Sequence, residues 1–224
     1  VAEMAAIPNN RLFIVDNSLA QDGEWEQQLF RAIAPLKKKW VSHPIVDNDA
    51  VLKLAADAGC WYVYQAVAGI TDGIRKRIRR LHDHGIGVEG TILLGLDDQT
   101  EDDIKRMVDF LLEMNLDMAE FTVLVPSPHT PVRAPLEREG RVLHNDWIRY
   151  TGSEVVFRPA RMTPEALERM YHYAWDAFYR EADAATRMAR LFLKVIHKEI
   201  QDGTWPDVGR RRQRAGWGGE APAG

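Results

Sequence analysis

Cysteine is nearly absent from this sequence, which has only Cys60 among its 224 residues. A disulfide framework, or a metal or cluster site made only of cysteines, is therefore excluded within these residues. Cys60 begins a predicted buried strand, so we expect an inert core thiol. No metal site is predicted elsewhere, because His82 and His84 lie two positions apart on a helix and point in different directions.

Long apolar runs and an excess of charge of one sign are also lacking. No run is long enough to span a membrane, and the net charge of −4 gives no indication of a nucleic-acid or membrane surface. No leader-like segment precedes the first predicted strand, so we expect a cytoplasmic protein. The basic run at 210–214 belongs to a Gly- and charge-rich tail, residues 203–224, which we predict to be disordered.

What the sequence does contain is a repeated alternation of apolar strands and amphipathic helices. Hydrophobic residues make up 46% of the chain, enough for a large core. Strands are predicted at 11–15, 40–41, 60–64, 87–94 and 120–125, with helices at 23–39, 49–58, 71–82 and from a Thr100 N-cap to about Met114. Strand, turn and helix at this spacing indicate βαβ units and a parallel sheet, hence an α/β fold.

The strand pattern leaves two architectures open, a doubly wound sheet and a barrel. Five units are few for a complete eight-unit barrel. We assign residues 1–130 to the α/β part and 131–202 to a mostly helical extension. Within that extension, 154–158 could add a strand, and Thr163 is predicted to cap a long helix that has Pro164 at its first position.

Polar side chains follow the predicted strands at the edge where ligands gather in parallel α/β folds. The strand ends are Asp16-Asn17, Ser42-His43, Gln65, Gly95 and Pro126-Ser127. This small and mostly uncharged set suits hydrogen bonding to a polar organic ligand better than acid–base chemistry. We expect Asn17, Ser42 and Gln65 to converge at one mouth of the sheet, with Asp16 beside them and Ile92 pointing inward. The alternative is that each polar side chain only caps a loop.

Several segments, taken in order, resemble the radical S-adenosylmethionine (radical SAM) superfamily, and most of all its cobalamin-binding class B members. These segments are RLFIVDNS, WVSHPI, AGCWYVYQAV, HGIGVEGTILLGLDDQTEDDI, LDMAEFTVLVPSPHTPV and DWIRYTGSEVVFRPARMTPEAL. Together they cover about residues 1–180. The resemblance implies a partial (β/α)6 barrel of the TIM type.

The sequence departs from that family at its hallmark, because CxxxCxxC is absent. Residues 1–7 resemble the end of the helix that follows the motif. The resemblance therefore implies a C-terminal fragment that contains barrel strands two to six. The first strand, the cluster cysteines and the cobalamin domain would lie upstream of it. Members of the family usually have a Gly-Gly-Glu-like segment after the second barrel strand, and this sequence has VDNS there, at 15–18. The acidic residue that contacts the ribose after the fourth barrel strand is replaced by Gln65.

The function implied by this resemblance is radical-based methyl transfer or rearrangement on an unknown substrate. Its cofactors would be S-adenosylmethionine (SAM), a 4Fe–4S cluster with upstream ligands, and cobalamin, with an electron donor as partner. SAM contacts are assigned to Asp16, Asn17, Ser42, Gln65 and Ile92. We expect the fragment alone to be inactive, to assemble no cluster, and to associate through an apolar edge at 12–15. The alternatives are a non-catalytic α/β interaction module and an unrelated metal-independent α/β enzyme.

Overall fold

A computed structural model describes residues 1–180 and 182–205. Its strands are β1 (Arg11–Ile14), β2 (Lys39–Ser42), β3 (Cys60–Ala66), β4 (Gly87–Leu94) and β5 (Met118–Val123). Its helices are α1 (Ala2–Ala6), α2 (Gly23–Ile33), α3 (Asp49–Asp57), α4 (Asp72–Asp83), α5 (Glu101–Glu113), α6 (Arg133–Arg138), α7 (Pro164–Tyr179) and α8 (Ala182–Gln201). None of the helices in the described ranges has the length and apolar character needed to cross a bilayer.

The strands form one sheet in which all neighbours run parallel and the spatial order β1-β2-β3-β4-β5 follows the chain. A doubly wound sheet reverses its strand order at a switch point, and no such reversal occurs among the described strands. Right-handed crossovers then place the connecting helices on one face. The fold is α/β, as predicted, with one open parallel sheet wound like an arc of a barrel.

The core lies between this sheet and the helices that connect its strands. Phe30 of α2 stacks on Trp40 of β2 with 5.3 Å between ring centroids, and both side chains are fully buried. Val63, Val88 and Leu94 are buried on the same side of the sheet. Because side chains alternate along a strand, every second residue faces the helices.

Short polar side chains begin the helices that follow β1 to β4. Asp22, Asn48, Thr71 and Thr100 each accept a hydrogen bond from an N–H group of the first helical turn. At α5, the Asp103 carboxylate also accepts from the Thr100 N–H at 2.9 Å, which completes a capping box. These caps fix where each crossover helix starts relative to the strand before it.

Three predicted boundaries differ from the structure. The helix expected at 23–39 ends at Ile33 and gives way to a 3-10 turn, Ala34–Leu36, because Pro35 cannot continue an α-helix and Lys37 adopts a φ of 53°. Lys39 consequently belongs to β2. The strand considered at 154–158 is reduced to a single antiparallel bridge between Val142 and Phe157.

Helix α8 lies across the N-terminal ends of the strands. Leu191 packs so closely on Gly87 that a Cβ there would lie 2.7 Å from its side chain. Near the far end of α8, the buried Glu199 accepts two hydrogen bonds from the Arg11 guanidinium at 2.8 and 2.9 Å. Further along, Asp202 pairs with the buried Lys39 at 2.7 Å. The C-terminal helix thus closes the edge opposite the predicted mouth.

Only the start of the predicted tail at 203–224 can be described. The Thr204 and Trp205 N–H groups donate to the Glu199 carbonyl at 2.8 and 3.0 Å, and the Asn10 amide donates to the Thr204 carbonyl at 2.8 Å. Residues 206–224, including the basic run, lie outside the described residues.

Candidate functional site

The face of the sheet opposite α2–α5, called here the uncovered face, carries polar and aromatic side chains. Register pairs one strand with the next along this face, and paired residues point the same way. The side chains are those of Phe13, Val41, Tyr62, Tyr64, Glu89, Thr91, Leu93, Glu120 and Thr122. Phe13 and Leu93 remain 48% and 40% exposed, so this face is open to a ligand in the chain described.

An aromatic row crosses the uncovered face from β1 to β3. The His43 ring, immediately after β2, lies 5.8 Å from Phe13 and 5.1 Å from Tyr64, measured between centroids. Phe13 and Tyr64 are themselves 5.5 Å apart, and the three ring planes are inclined by 29–36°. The Tyr62 hydroxyl lies 3.5 Å from that of Tyr64. This aromatic row offers a ring surface with hydroxyl groups at one end.

Carboxylates adjoin the aromatic row on β4 and β5. Glu89 is in register with Tyr64, whose hydroxyl donates a hydrogen bond to it. Burial raises the pKa of Glu89, the nearby negative charge of Glu120 raises it further, and the Tyr64 hydrogen bond acts in the opposite direction. Aromatic faces beside carboxylates favour a cationic ligand, and the hydroxyl groups can bind further polar atoms.

Three of the predicted ligand contacts lie on the opposite face of the sheet. Ser42 is fully buried, and its hydroxyl donates to the His43 carbonyl at 2.8 Å. Gln65 accepts a hydrogen bond at 3.3 Å from Arg77 of α4. Ile92 is 2% exposed and in register with Phe121, which packs on α7. The sequence predicts that Ser42 and Gln65 converge with Asn17 at one mouth of the sheet and that Ile92 points inward. This prediction is wrong for Ser42, Gln65 and Ile92, since all three side chains point toward the helix layer.

Asp16 and Asn17, the remaining predicted contacts, are exposed in the loop after β1. Their position is near the C-terminal edge of the sheet, as expected from the strand order. A role for them in binding SAM stays a prediction.

Gln65 belongs to a network that fixes the loop after β2. The buried Arg77 guanidinium donates to Gln65, to the Asp47 carboxylate at 3.1 Å and to the Ile45 carbonyl at 2.7 Å. Its charge is compensated by Asp47 within this network. These hydrogen bonds give the Gln65 side chain a structural role that requires no ligand.

Sequence reasoning missed Phe13, Tyr64 and Glu89, and it placed His43 at a strand end without assigning it a ligand contact. Tyr64 directly precedes the predicted contact Gln65, and Phe13 and Glu89 lie within predicted strands. The available signal was the two-residue alternation of strands: once Val63 is assigned to the core, Tyr64 must face the other side and Gln65 the helices.

Cys60 has the environment of a structural thiol. Its side chain is buried, and burial raises its thiol pKa well above the ordinary value. Within the described ranges, no three His, Cys, Asp or Glu side chains are grouped so that they could hold a metal ion. These observations agree with the prediction of an inert core thiol.

Comparison with known proteins identifies methyltransferases as relatives. No family model matches the chain. It is 24% identical over 174 residues to bacteriochlorophyllide d C-12(1)-methyltransferase of Chlorobaculum tepidum, covering 70% of this chain and 38% of that protein. It is 32% identical over 73 residues to hopanoid C-2 methylase of Rhodopseudomonas palustris, covering 33% of this chain and 14% of that protein.

A solved structure supports the fold. The radical S-adenosylmethionine methyltransferase TsrM of Kitasatospora setae, bound to cobalamin and a 4Fe-4S cluster, matches with a TM-score of 0.52 and 18% identity. The match covers 75% of this chain and 39% of TsrM. The chain therefore spans less than half the length of these relatives.

Proposed function

We propose that this chain forms the barrel part of a cobalamin-dependent radical SAM methyltransferase and that SAM binds against the uncovered face. Methyl transfer is favoured over rearrangement because the named relatives transfer methyl groups. The observation that carries the proposal is the juxtaposition of the aromatic row with Glu89 and Glu120 on the open side of a sequentially ordered parallel sheet.

The 4Fe–4S cluster does not fit the residues of this chain. Such a cluster in this family requires three cysteine thiolates, whereas the sequence has one cysteine, and that thiol is buried with a raised pKa. Residues outside this sequence would have to hold the cluster and cobalamin, and an electron donor and an unidentified substrate would complete the system.

SAM, in contrast, has functional groups that match the uncovered face. When bound, it supplies the methyl group and the sulfonium centre. The carboxylates of Glu89 and Glu120 attract a positively charged sulfonium or ammonium group, and the rings of Phe13 and His43 provide surface for a planar base. The Tyr64 hydroxyl orients the Glu89 carboxylate by its hydrogen bond. The contribution of these side chains is to bind and orient SAM.

Calorimetric titration of the 224-residue chain with SAM tests this assignment. We expect saturable binding that Glu89→Gln weakens by about tenfold to a hundredfold, because a hydrogen bond to a charged group is worth roughly 1.5–3 kcal/mol. Tyr64→Phe should weaken binding by a smaller factor. Gln65→Ala is the matched control, because the Gln65 side chain points toward α4. The SAM affinity of this variant should equal that of the unchanged chain.

The outcome against the proposal is equally specific. Absence of saturable SAM binding would favour the alternative hypothesis that the chain is a non-catalytic interaction module. If Gln65→Ala weakened binding while Glu89→Gln did not, the SAM contacts would belong to the helix-covered side.

A further inference from the structure

A cavity of about 190 Å³ lies between α8 and the N-terminal ends of β4 and β5. It is at the edge of the sheet opposite the predicted mouth, and its lining shares no residue with the uncovered face. The cationic side chains that line it are Arg187, Arg190 and Lys194, and the His82 imidazole lies beside them. The proposed function uses none of them.

Arg187 is the most unusual of these side chains because it is a buried guanidinium with no carboxylate partner among the described residues. It is 5% exposed, and its Nη2 donates only a long hydrogen bond, 3.4 Å, to the Phe178 carbonyl. Its Nε has no hydrogen-bond partner among the described residues. The Phe178 ring lies 4.9 Å from the guanidinium carbon and compensates only part of the charge. Burying a charge this way is costly unless a further partner is bound.

Two more cations reach the same cavity from α8. Arg190 and Lys194 follow Arg187 at spacings of three and seven, which places all three on one face of the helix. None of them forms an ion pair with a carboxylate of the described residues. Three positive charges therefore converge on one side of a small cavity.

Asp117 is the carboxylate among the described lining residues. It is already engaged, because its Oδ2 accepts from the Val88 N–H at 2.8 Å and lies 2.9 Å from His82 Nε2. Counting the three cations against Asp117 leaves an excess of two positive charges in the lining. That excess matches a dianion.

We propose that this cavity binds a single phosphate-type oxyanion. A guanidinium presents parallel N–H donors that suit two oxygens of a phosphoryl group, and the exposed Arg190 and Lys194 can close around the remaining oxygens. The cavity of about 190 Å³ has room for one phosphoryl group. The ligand is inorganic phosphate or the phosphoryl group of a small monoester.

Calorimetric titration with inorganic phosphate, at constant ionic strength and above neutral pH, tests the proposal on the 224-residue chain. We expect saturable binding. The double variant Arg190→Gln/Lys194→Gln should weaken it about tenfold or more, because two charge-assisted contacts are lost. Arg187→Met should abolish it. Since Arg190 and Lys194 are exposed, the double variant decides the question even if Arg187→Met fails to fold.

Arg169→Gln is the matched control, an exposed arginine on α7 outside the cavity lining, and should leave phosphate affinity unchanged. A parallel titration with glycerol phosphate separates the two sources: tighter binding of the ester indicates a phosphorylated metabolite, and weaker binding indicates free phosphate. Absence of saturable phosphate binding, or affinity that survives the double variant, would overturn the proposal. SAM binding on the uncovered face should be unaffected by these variants, so the two proposals fail separately.

Discussion

At the scale of single residues, the carboxyl group of Glu26 links protonation to folding. This buried side chain on α2 accepts from the Val46 N–H at 3.1 and 3.2 Å. Burial raises the pKa of Glu26 from about 4.5 to about 7; the Val46 hydrogen bond and the Arg77 charge oppose this rise, and Asp22 adds to it. Between these pH values the folded chain keeps a proton that the unfolded chain has lost, so stability falls as pH rises.

Glu26→Gln should remove this pH dependence. Glutamine keeps an acceptor for the Val46 N–H but carries no charge, so we expect the variant to gain stability relative to the unchanged chain between pH 5 and pH 8. Urea unfolding at the two pH values measures the difference. Glu24→Gln, an exposed position on the same helix, is the control and should show no such trend. An equal effect of Glu26→Gln at both pH values would contradict the raised pKa.

At the scale of elements, a tyrosine of α7 completes the free edge of β5. The Ala119 N–H donates to the Tyr179 hydroxyl at 2.9 Å, and that hydroxyl donates to the Ala119 carbonyl at 2.7 Å. The hydroxyl thus replaces a neighbouring strand at this point. The Tyr179 ring also stacks on Trp175 with centroids 5.5 Å apart, which holds α7 against the sheet.

Tyr179→Phe should therefore lower the free energy of unfolding by about 1 kcal/mol, because it leaves two backbone groups of β5 unpaired while the ring contact remains. Chemical denaturation measures this loss. Tyr173→Phe on the same helix is the control, because no hydrogen bond of its hydroxyl occurs among the described residues. Equal stability changes in the two variants would show that the Tyr179 hydroxyl does not support the edge.

At the scale of the whole molecule, the architecture could be predicted from the sequence, but the orientation of the site could not. Alternating apolar strands and capped helices predict a parallel sheet even when the predicted ends of the strands and helices are wrong by a few residues. Successive side chains of a strand point to opposite faces of the sheet, so an error of one residue selects the wrong face. The choice of Gln65 in place of Tyr64 was such an error. The position of α8 was also beyond prediction, because an amphipathic pattern shows that a helix buries one side without showing against which surface.

Photolabelling is the most direct way to locate SAM, which we propose to lie on the uncovered face. The 224-residue chain is irradiated with SAM that carries a tritiated methyl group, and the labelled peptide is identified after proteolysis. We expect label on the peptide that contains Tyr62 and Tyr64, with loss of label when excess S-adenosylhomocysteine competes. Label confined to peptides of α4 or α8, or label that the competitor does not reduce, would contradict it.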